Sequence, residues 1–175
     1  MNLYLRLLWT LLRSPRLPAL QMGQTLERSL RVLPNDIDLN GHMNNGRYLT
    51  LLDLMLVEYF VRLGFARVLL RQRWRPMAGG SFITYRRGLK PLQRYTLRFR
   101  VEACDSHWIF MRFEFVGGER VCAAGYVKGA LVGPQGLVSS QQAQAATGTA
   151  LPANALPSPV QHWLNAEQGL MASAW

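Results

Sequence analysis

The segment DIDLNGHMNNGRY, residues 36–48, leads directly into an apolar run from Leu49 to Leu63. It carries two carboxylates (Asp36, Asp38), then Asn40 and His42 at two-residue steps, then Asn44 and Asn45, with glycines at 41 and 46. No other part of the chain gathers polar chemistry so densely. Asn, Asp and Gly ahead of an apolar run mark a loop that ends at a helix N-terminus, because their short side chains accept from the unpaired amides of the first turn. Backbone N–H groups point outward there and the helix dipole is positive. Such a place suits an oxyanion, with the amides of Asn45 to Arg47 as donors.

Downstream, Leu49, Leu51, Leu52, Leu54, Met55, Leu56, Val57, Tyr59, Phe60 and Leu63 cover nearly the whole circumference of a helix that Gly64 would stop. A helix apolar all round is a buried one. Glu58 within it needs a partner, and Arg62 lies one turn on. Asp53, two turns into the helix, reads as structural. Phe65 to Arg75 holds Arg67, Arg71, Arg73 and Arg75 among leucines, the pattern of a short exposed helix and turn.

Upstream, Thr25 to Leu33 alternates as a strand, with Leu26, Leu30 and Val32 inward and Glu27, Arg28 and Arg31 outward. Four further strand patterns follow the helix. They start with Met77 to Arg87, where Gly79-Gly80 leaves room for a ligand or another strand. Next come Tyr95 to Val101, then Ile109 to Phe115, and after a Gly117-Gly118 hairpin turn, Arg120 to Val132. One helix followed by consecutive strands predicts an α+β fold and excludes an alternating parallel sheet.

Asp38, Asn40 and His42 spell D-x-N-x-H, and Asn44, Asn45 and Tyr48 extend it to D-x-N-x-H-x-N-N-x-x-Y. This resembles the signature of plant acyl-carrier-protein thioesterases. D-x-D-x-x-G from Asp36 to Gly41, followed by Tyr48 and Asp53, resembles the 4-hydroxybenzoyl-CoA thioesterase pattern. Both families have the hotdog fold, an antiparallel sheet wrapped around a long central helix, and the order of elements here fits one such domain.

The resemblance implies an acyl thioester hydrolase acting on acyl-CoA or acyl-carrier-protein substrates in fatty acid metabolism, with neither cofactor nor metal. Asp38 would be general base to a water, or a nucleophile passing through an anhydride, with Asn40 and His42 positioning or activating the water. Asn45, Gly46, Arg47 and Tyr48 would bind the substrate, and Arg86, Arg87 and Lys90 the phosphates of the carrier. The plant enzymes carry two hotdog repeats where this chain has one, so a homodimer or tetramer would complete the paired site. Two other readings stay open. One is a non-catalytic acyl- or lipid-binding hotdog module associated with membrane. The other is a hydroxyacyl dehydratase, although Gly41 stands where that signature, D-x-N-P-x-H, has proline.

Eighteen arginines against two lysines give a formal charge of +10 over 175 residues. That balance favours phosphate or anionic lipid. No helix-turn-helix, zinc-finger or RNA-binding signature accompanies it, so nucleic acid is not an expected partner. Cys104 and Cys122 lie in strand patterns and read as buried free thiols of a reducing compartment.

MNLYLRLLWTLLR, residues 1–13, is too short and too interrupted by Arg6 to span a bilayer. As a helix it puts Arg6, Thr10 and Arg13 on one stripe and Tyr4, Leu7, Leu8, Leu11 and Leu12 opposite. It reads as packed on its own domain or on a partner subunit, with rest on an anionic membrane surface as the second reading. The expected location is cytoplasmic, with peripheral contact at the inner membrane surface under that second reading. The domain plan is an N-terminal helix and linker over 1–20, a hotdog domain over 21–135, and a flexible connector with a short C-terminal helix over 136–175. In that last part Ser139 to Ser158 is the connector, flexible or partly helical, and Val160 to Gln168 the helix.

Overall fold

The computed structural model describes residues 3–152 and 155–173, so residues 1 and 2 of the N-terminal segment and parts of the tail lie outside the described residues. In chain order the elements are α1 (Leu3–Arg13), β1 (Leu26–Arg31), α2 (Asn45–Arg62), α3 (Phe65–Gln72) and β2 (Arg75–Tyr85). There follow β3 (Arg94–Cys104), β4 (Ile109–Gly117), β5 (Arg120–Gly133), β6 (Gly136–Leu137), α4 (Ser140–Thr147) and α5 (Ser158–Ala172). All strand pairs are antiparallel, in the order β1-β3-β4-β5-β2, with β6 paired to β5. This is the α+β architecture expected from the order of elements.

The inner face of the sheet packs on α2. Leu26, Tyr95, Leu97, Phe99, Met111, Phe113 and Phe115 meet Tyr48, Leu51, Leu52, Met55 and Tyr59 of the helix in one continuous core. At 1.5 Å per residue the 18-residue helix is about 27 Å long, enough to cross all the strands. Aromatic edges interlock: Tyr48 meets Phe115 at 4.7 Å between ring centroids, and Tyr59 meets Phe99 at 5.5 Å. Gly64, at φ 77°, ends the helical run as its sequence position suggests.

One expectation needs correction, and others gain detail. Arg28 is buried instead of exposed, because its Nη1 donates to Thr10 of α1 at 2.9 Å and to Glu58 of α2 at 3.2 Å. Glu58 does pair with Arg62 at 3.2 Å, but it is shared with Arg28. Gly79 and Gly80 sit at a bulge in β2, where a Cβ would meet the indoles of Trp108 and Trp163, and both glycines also line a cavity beside α2. In the tail, part of the connector is helical, and the C-terminal helix is longer than Val160 to Gln168. Ser139 caps α4 in a reciprocal box with Gln142, and α5 runs to Ala172 across the outer sheet face.

That outer layer has its own core of Ala103, Phe110, Tyr126 and Val160, with Trp108, Leu156, Trp163 and Leu164 around it. A bulge between Val101 and Ala103 changes the phase of β3, so Ala103 faces outward with its partner Phe110. Lys128, buried on the same face, pairs with Glu167 of α5 and lies over the Trp108 ring at 4.6 Å. Burial pushes the Cys104 thiol up to about 12, and both cysteines are free.

Candidate active site

The motif forms a short two-strand loop closed by an isolated bridge between Ile37 and Met43. Asp38 N–H donates to the His42 carbonyl at 2.9 Å, and Gly41, at φ 75°, donates back to the Asp38 carbonyl at 3.1 Å. Any residue with a Cβ would strain that turn. Met43 N–H then donates to the Leu89 carbonyl at 2.8 Å, which ties the motif loop to the connection between β2 and β3. The ring of His42 lies flat enough on Gly88 that a Cβ there would meet its Cδ2 at 2.5 Å. Arg86, Arg87 and Lys90, all exposed, belong to this same connection.

The carboxylates divide the work between them. Asp36 is fully buried and held by Arg6 of α1 through both oxygens, at 3.2 and 2.7 Å. It also accepts from Leu33 N–H at 2.9 Å, and Arg47 Nε lies 3.8 Å away. Every oxygen of Asp36 is thus engaged in fixing the loop. Asp38 is half-buried, and only its Oδ1 is used, accepting from Asn40 N–H at 2.9 Å. Among the described residues it has no cationic partner. One carboxylate is structural and the other retains a free oxygen.

Asn40 and His42 are exposed, and Asn40 enters the loop through its backbone: its N–H binds Asp38 and its carbonyl lies 3.0 Å from His42 Nδ1. A carbonyl only accepts, so this bond places the imidazole proton on Nδ1 and leaves Nε2 as the basic nitrogen. The three side chains therefore lie on one loop, but they are not hydrogen-bonded to one another.

At the start of α2, Asn44 is the N-cap, and its side chain accepts from Gly46 N–H at 2.9 Å. Arg47 N–H donates to the Asn44 carbonyl at 2.9 Å. Of the three amides expected as oxyanion donors, two are engaged, and among the described residues only the Asn45 N–H has no acceptor. Asn45 is exposed, and its carbonyl accepts from Tyr85 at 3.1 Å, which fixes the first helical turn against β2. Tyr48, by contrast with its expected place at the substrate, is buried, its ring between Tyr85 and Phe115 and its hydroxyl bonded to the Leu89 backbone. Burial raises its pKa.

One face of α2 and the middle of β2 enclose a cavity of about 310 Å³ lined by Leu49, Leu52, Asp53, Leu56, Gly80 and Val127, among others. Its polar side chains are Ser81 and Asp53, and the carboxyl pKa of Asp53 is raised by desolvation although the residue as a whole is exposed. Sequence reasoning missed the supports of this site: Arg6 behind Asp36, Gly88 beneath His42, and Tyr85 on the helix start. The only signal for Arg6 was a cation set among leucines.

The same fold recurs among solved structures. A probable thioesterase from Bartonella henselae is 20% identical with a TM-score of 0.60, over 66% of this chain and 98% of that one. A 1,4-dihydroxy-2-naphthoyl-CoA thioesterase from Synechocystis is 12% identical with a TM-score of 0.60, over 71% and 96%. Among curated sequences, Protein THEM6 of Xenopus laevis is 32% identical over 85 residues, 49% of this chain and 41% of the relative. Thioesterase poxG of Penicillium oxalicum is 28% identical over 95 residues, 46% of this chain and 31% of the relative. The chain thus spans less than half the length of these curated relatives. The profile of the thioesterase-like superfamily matches residues 32–164, from the strand end before the motif into α5. With its sheet curled around α2 in the hotdog manner, the chain belongs to the thioesterase-like superfamily.

Proposed function

We propose that the protein hydrolyses acyl thioesters carried on coenzyme A or an acyl carrier protein, with Asp38 as the catalytic carboxylate. The observation that carries this reading is the contrast between Asp36, saturated by Arg6 and Leu33, and Asp38, half-buried with an oxygen to spare on the loop that leads into α2. Asp38 takes a proton from the water that attacks the carbonyl carbon, or attacks that carbon itself to form an anhydride that water then opens; the carbonyl oxygen, gaining charge, is met by the Asn45 N–H at the positive end of α2, and the C–S bond breaks with the carrier thiol as leaving group. His42 Nε2 is the second basic atom on the loop and orients the water or receives its proton. Asn40 acts through its backbone, setting the Asp38 and His42 side chains.

The cavity along α2 is the acyl site in this reading. It borders β2, an edge strand of 11 residues whose side chains are mostly exposed. An unpaired edge of that length invites a second chain, and a homodimer through β2 would close the cavity with the partner's surface. Because α5 already covers the outer sheet face, a dimer is favoured over a tetramer stacked on that face. Arg86, Arg87 and Lys90, on the connection that holds His42, supply cations for the carrier phosphates.

Thiol release from a panel of acyl-CoA substrates, from acetyl to palmitoyl with aromatic acyl groups included, tests the reading. Asp38→Asn is expected to lower turnover about 100-fold or more, roughly 3 kcal/mol of barrier. Undiminished turnover in that variant would remove Asp38 from the mechanism. Binding without turnover across all carriers, coenzyme A and carrier protein alike, would leave a binding module.

A further inference from the structure

Helix α1 docks through its polar stripe. Arg6 reaches inward to Asp36, and Thr10, fully buried, accepts from Arg28. Only Leu3 and Leu7 of its apolar residues touch the core. The opposite face presents Tyr4, Leu5, Leu8, Trp9, Leu11 and Leu12, each between 45% and 85% exposed, and no described element covers them. Isolated exposed apolar side chains are ordinary, but six on one helical face are a patch that marks an interaction surface.

The rim of the patch identifies its occupant. No acidic residue occurs before Glu27, and Arg13 and Arg16 follow directly on the apolar face, both exposed. Arg31 and Arg94, also exposed, join Trp9 and Arg13 around an adjoining cleft of about 440 Å³. Of the arginines in that cleft, Arg6 and Arg28 have their charges matched by Asp36 and Glu58. The remaining three, with Arg16, have no carboxylate partner among the described residues. A second copy of this chain placed symmetrically on the patch would set these arginines against their own equivalents. An anionic lipid surface meets both halves of the pattern, with Tyr and Trp at headgroup depth and arginine on the phosphates.

We infer that the outward face of α1 rests in the headgroup boundary of an anionic phospholipid membrane while its inward face stays bound to Asp36. The helix does not leave the domain to bind lipid. It lies between the bilayer and the loop that carries Asp38 and His42, so the docked protein holds that loop close to the surface. The inference rests on α1 alone and stands whatever reaction the loop performs.

The test is flotation of the full chain with vesicles of phosphatidylcholine alone and of phosphatidylcholine mixed with phosphatidylglycerol, with the oligomeric state measured in parallel without lipid. Wild type is expected to float with the mixed vesicles and not with the neutral ones. The triple variant Leu8→Gln, Trp9→Gln, Leu12→Gln is expected to lose about tenfold or more in bound fraction with its melting temperature retained. Arg13→Glu with Arg16→Glu is expected to lower flotation to a similar extent, and serves where the triple variant does not fold. Failure of wild type to float, or flotation unaltered in the charge-reversed variant, would overturn the inference. So would self-association of wild type that the triple variant abolishes in the absence of lipid binding, which would assign the face to a second copy.

Discussion

Helices α1 and α2 are both rich in leucine, and the fold uses them in opposite senses. In α2 the apolar side chains face the sheet, with Met55 and Tyr59 at 0% exposure, and the one buried carboxylate, Glu58, is matched by Arg28 and Arg62. In α1 Arg6 and Thr10 face the domain, and Tyr4, Leu5, Leu8, Trp9, Leu11 and Leu12 face out. The seam between them is accordingly ionic: Arg6 to Asp36, Arg28 to Thr10 and Glu58. A hydrophobic seam is non-directional, whereas ion pairs with bidentate geometry fix one register. What α1 gives the molecule is the position of the motif loop, more than burial of apolar area.

The largest expected effect comes from breaking that seam at its most buried point. Glu58→Gln removes the charge facing Arg28, whose guanidinium pKa is already lowered by desolvation and is raised by Glu58. An uncompensated buried cation costs about 3 to 5 kcal/mol. Denaturant unfolding of the variant should show that loss as a lower midpoint with an unchanged slope. A loss under about 1 kcal/mol would mean that water reaches Arg28 and that the seam is weaker than its geometry suggests.

A matched pair of truncations sharpens the contrast. Met55→Ala, in the centre of α2, empties a site walled by the core aromatics and should cost about 2 to 5 kcal/mol. Leu8→Ala removes a side chain 53% exposed on the outward face of α1, and should change stability by no more than about 0.5 kcal/mol. Equal costs at the two positions would show that α1 is covered in solution, and the comparison of the two helices would fail.

The division between these helices also sets how much could be read in advance. The central helix and the sheet were legible because burial imposes a pattern: the apolar residues of α2 cover most of its circumference, and β3 alternates over Tyr95, Leu97, Phe99 and Val101. The motif loop was legible because capping chemistry is local, and Asn44 caps α2 within two residues of itself. What escaped were pairings between residues distant in sequence. Arg6 and Asp36 are 30 positions apart, as are Arg28 and Glu58, and no pattern within either segment names the partner. The outer layer escaped for a related reason. Phe110 stands at a position that alternation assigns to solvent and Ala103 at one that it assigns to the inner core, and only the bulge in β3 together with α5 brings both into a second core. Phe110, opposite the inward set of β4, was the visible hint of a covering element.

An expected gain in stability, smaller than the losses in the core, concerns a residue on the sheet beneath the seam. Tyr95 is 2% exposed, its ring stacks on Phe115 at 5.7 Å, and its hydroxyl has no hydrogen-bond partner among the described residues. Burial drives its pKa far upward, and the nearby charges of Arg6, Asp36 and Arg28 act on it without bonding to it. A buried hydroxyl without a partner carries a desolvation cost of about 1 to 3 kcal/mol, and phenylalanine fills the same space without that cost. Tyr95→Phe should therefore stabilise the protein by about 1 kcal/mol, read as a rise in melting temperature with thiol release unchanged. Destabilisation instead would place an ordered water between the Tyr95 hydroxyl and the Arg6–Asp36 pair, extending the ionic seam into the sheet. The sign of this one change thus decides whether the polar layer under α1 ends at Asp36 or continues to β3.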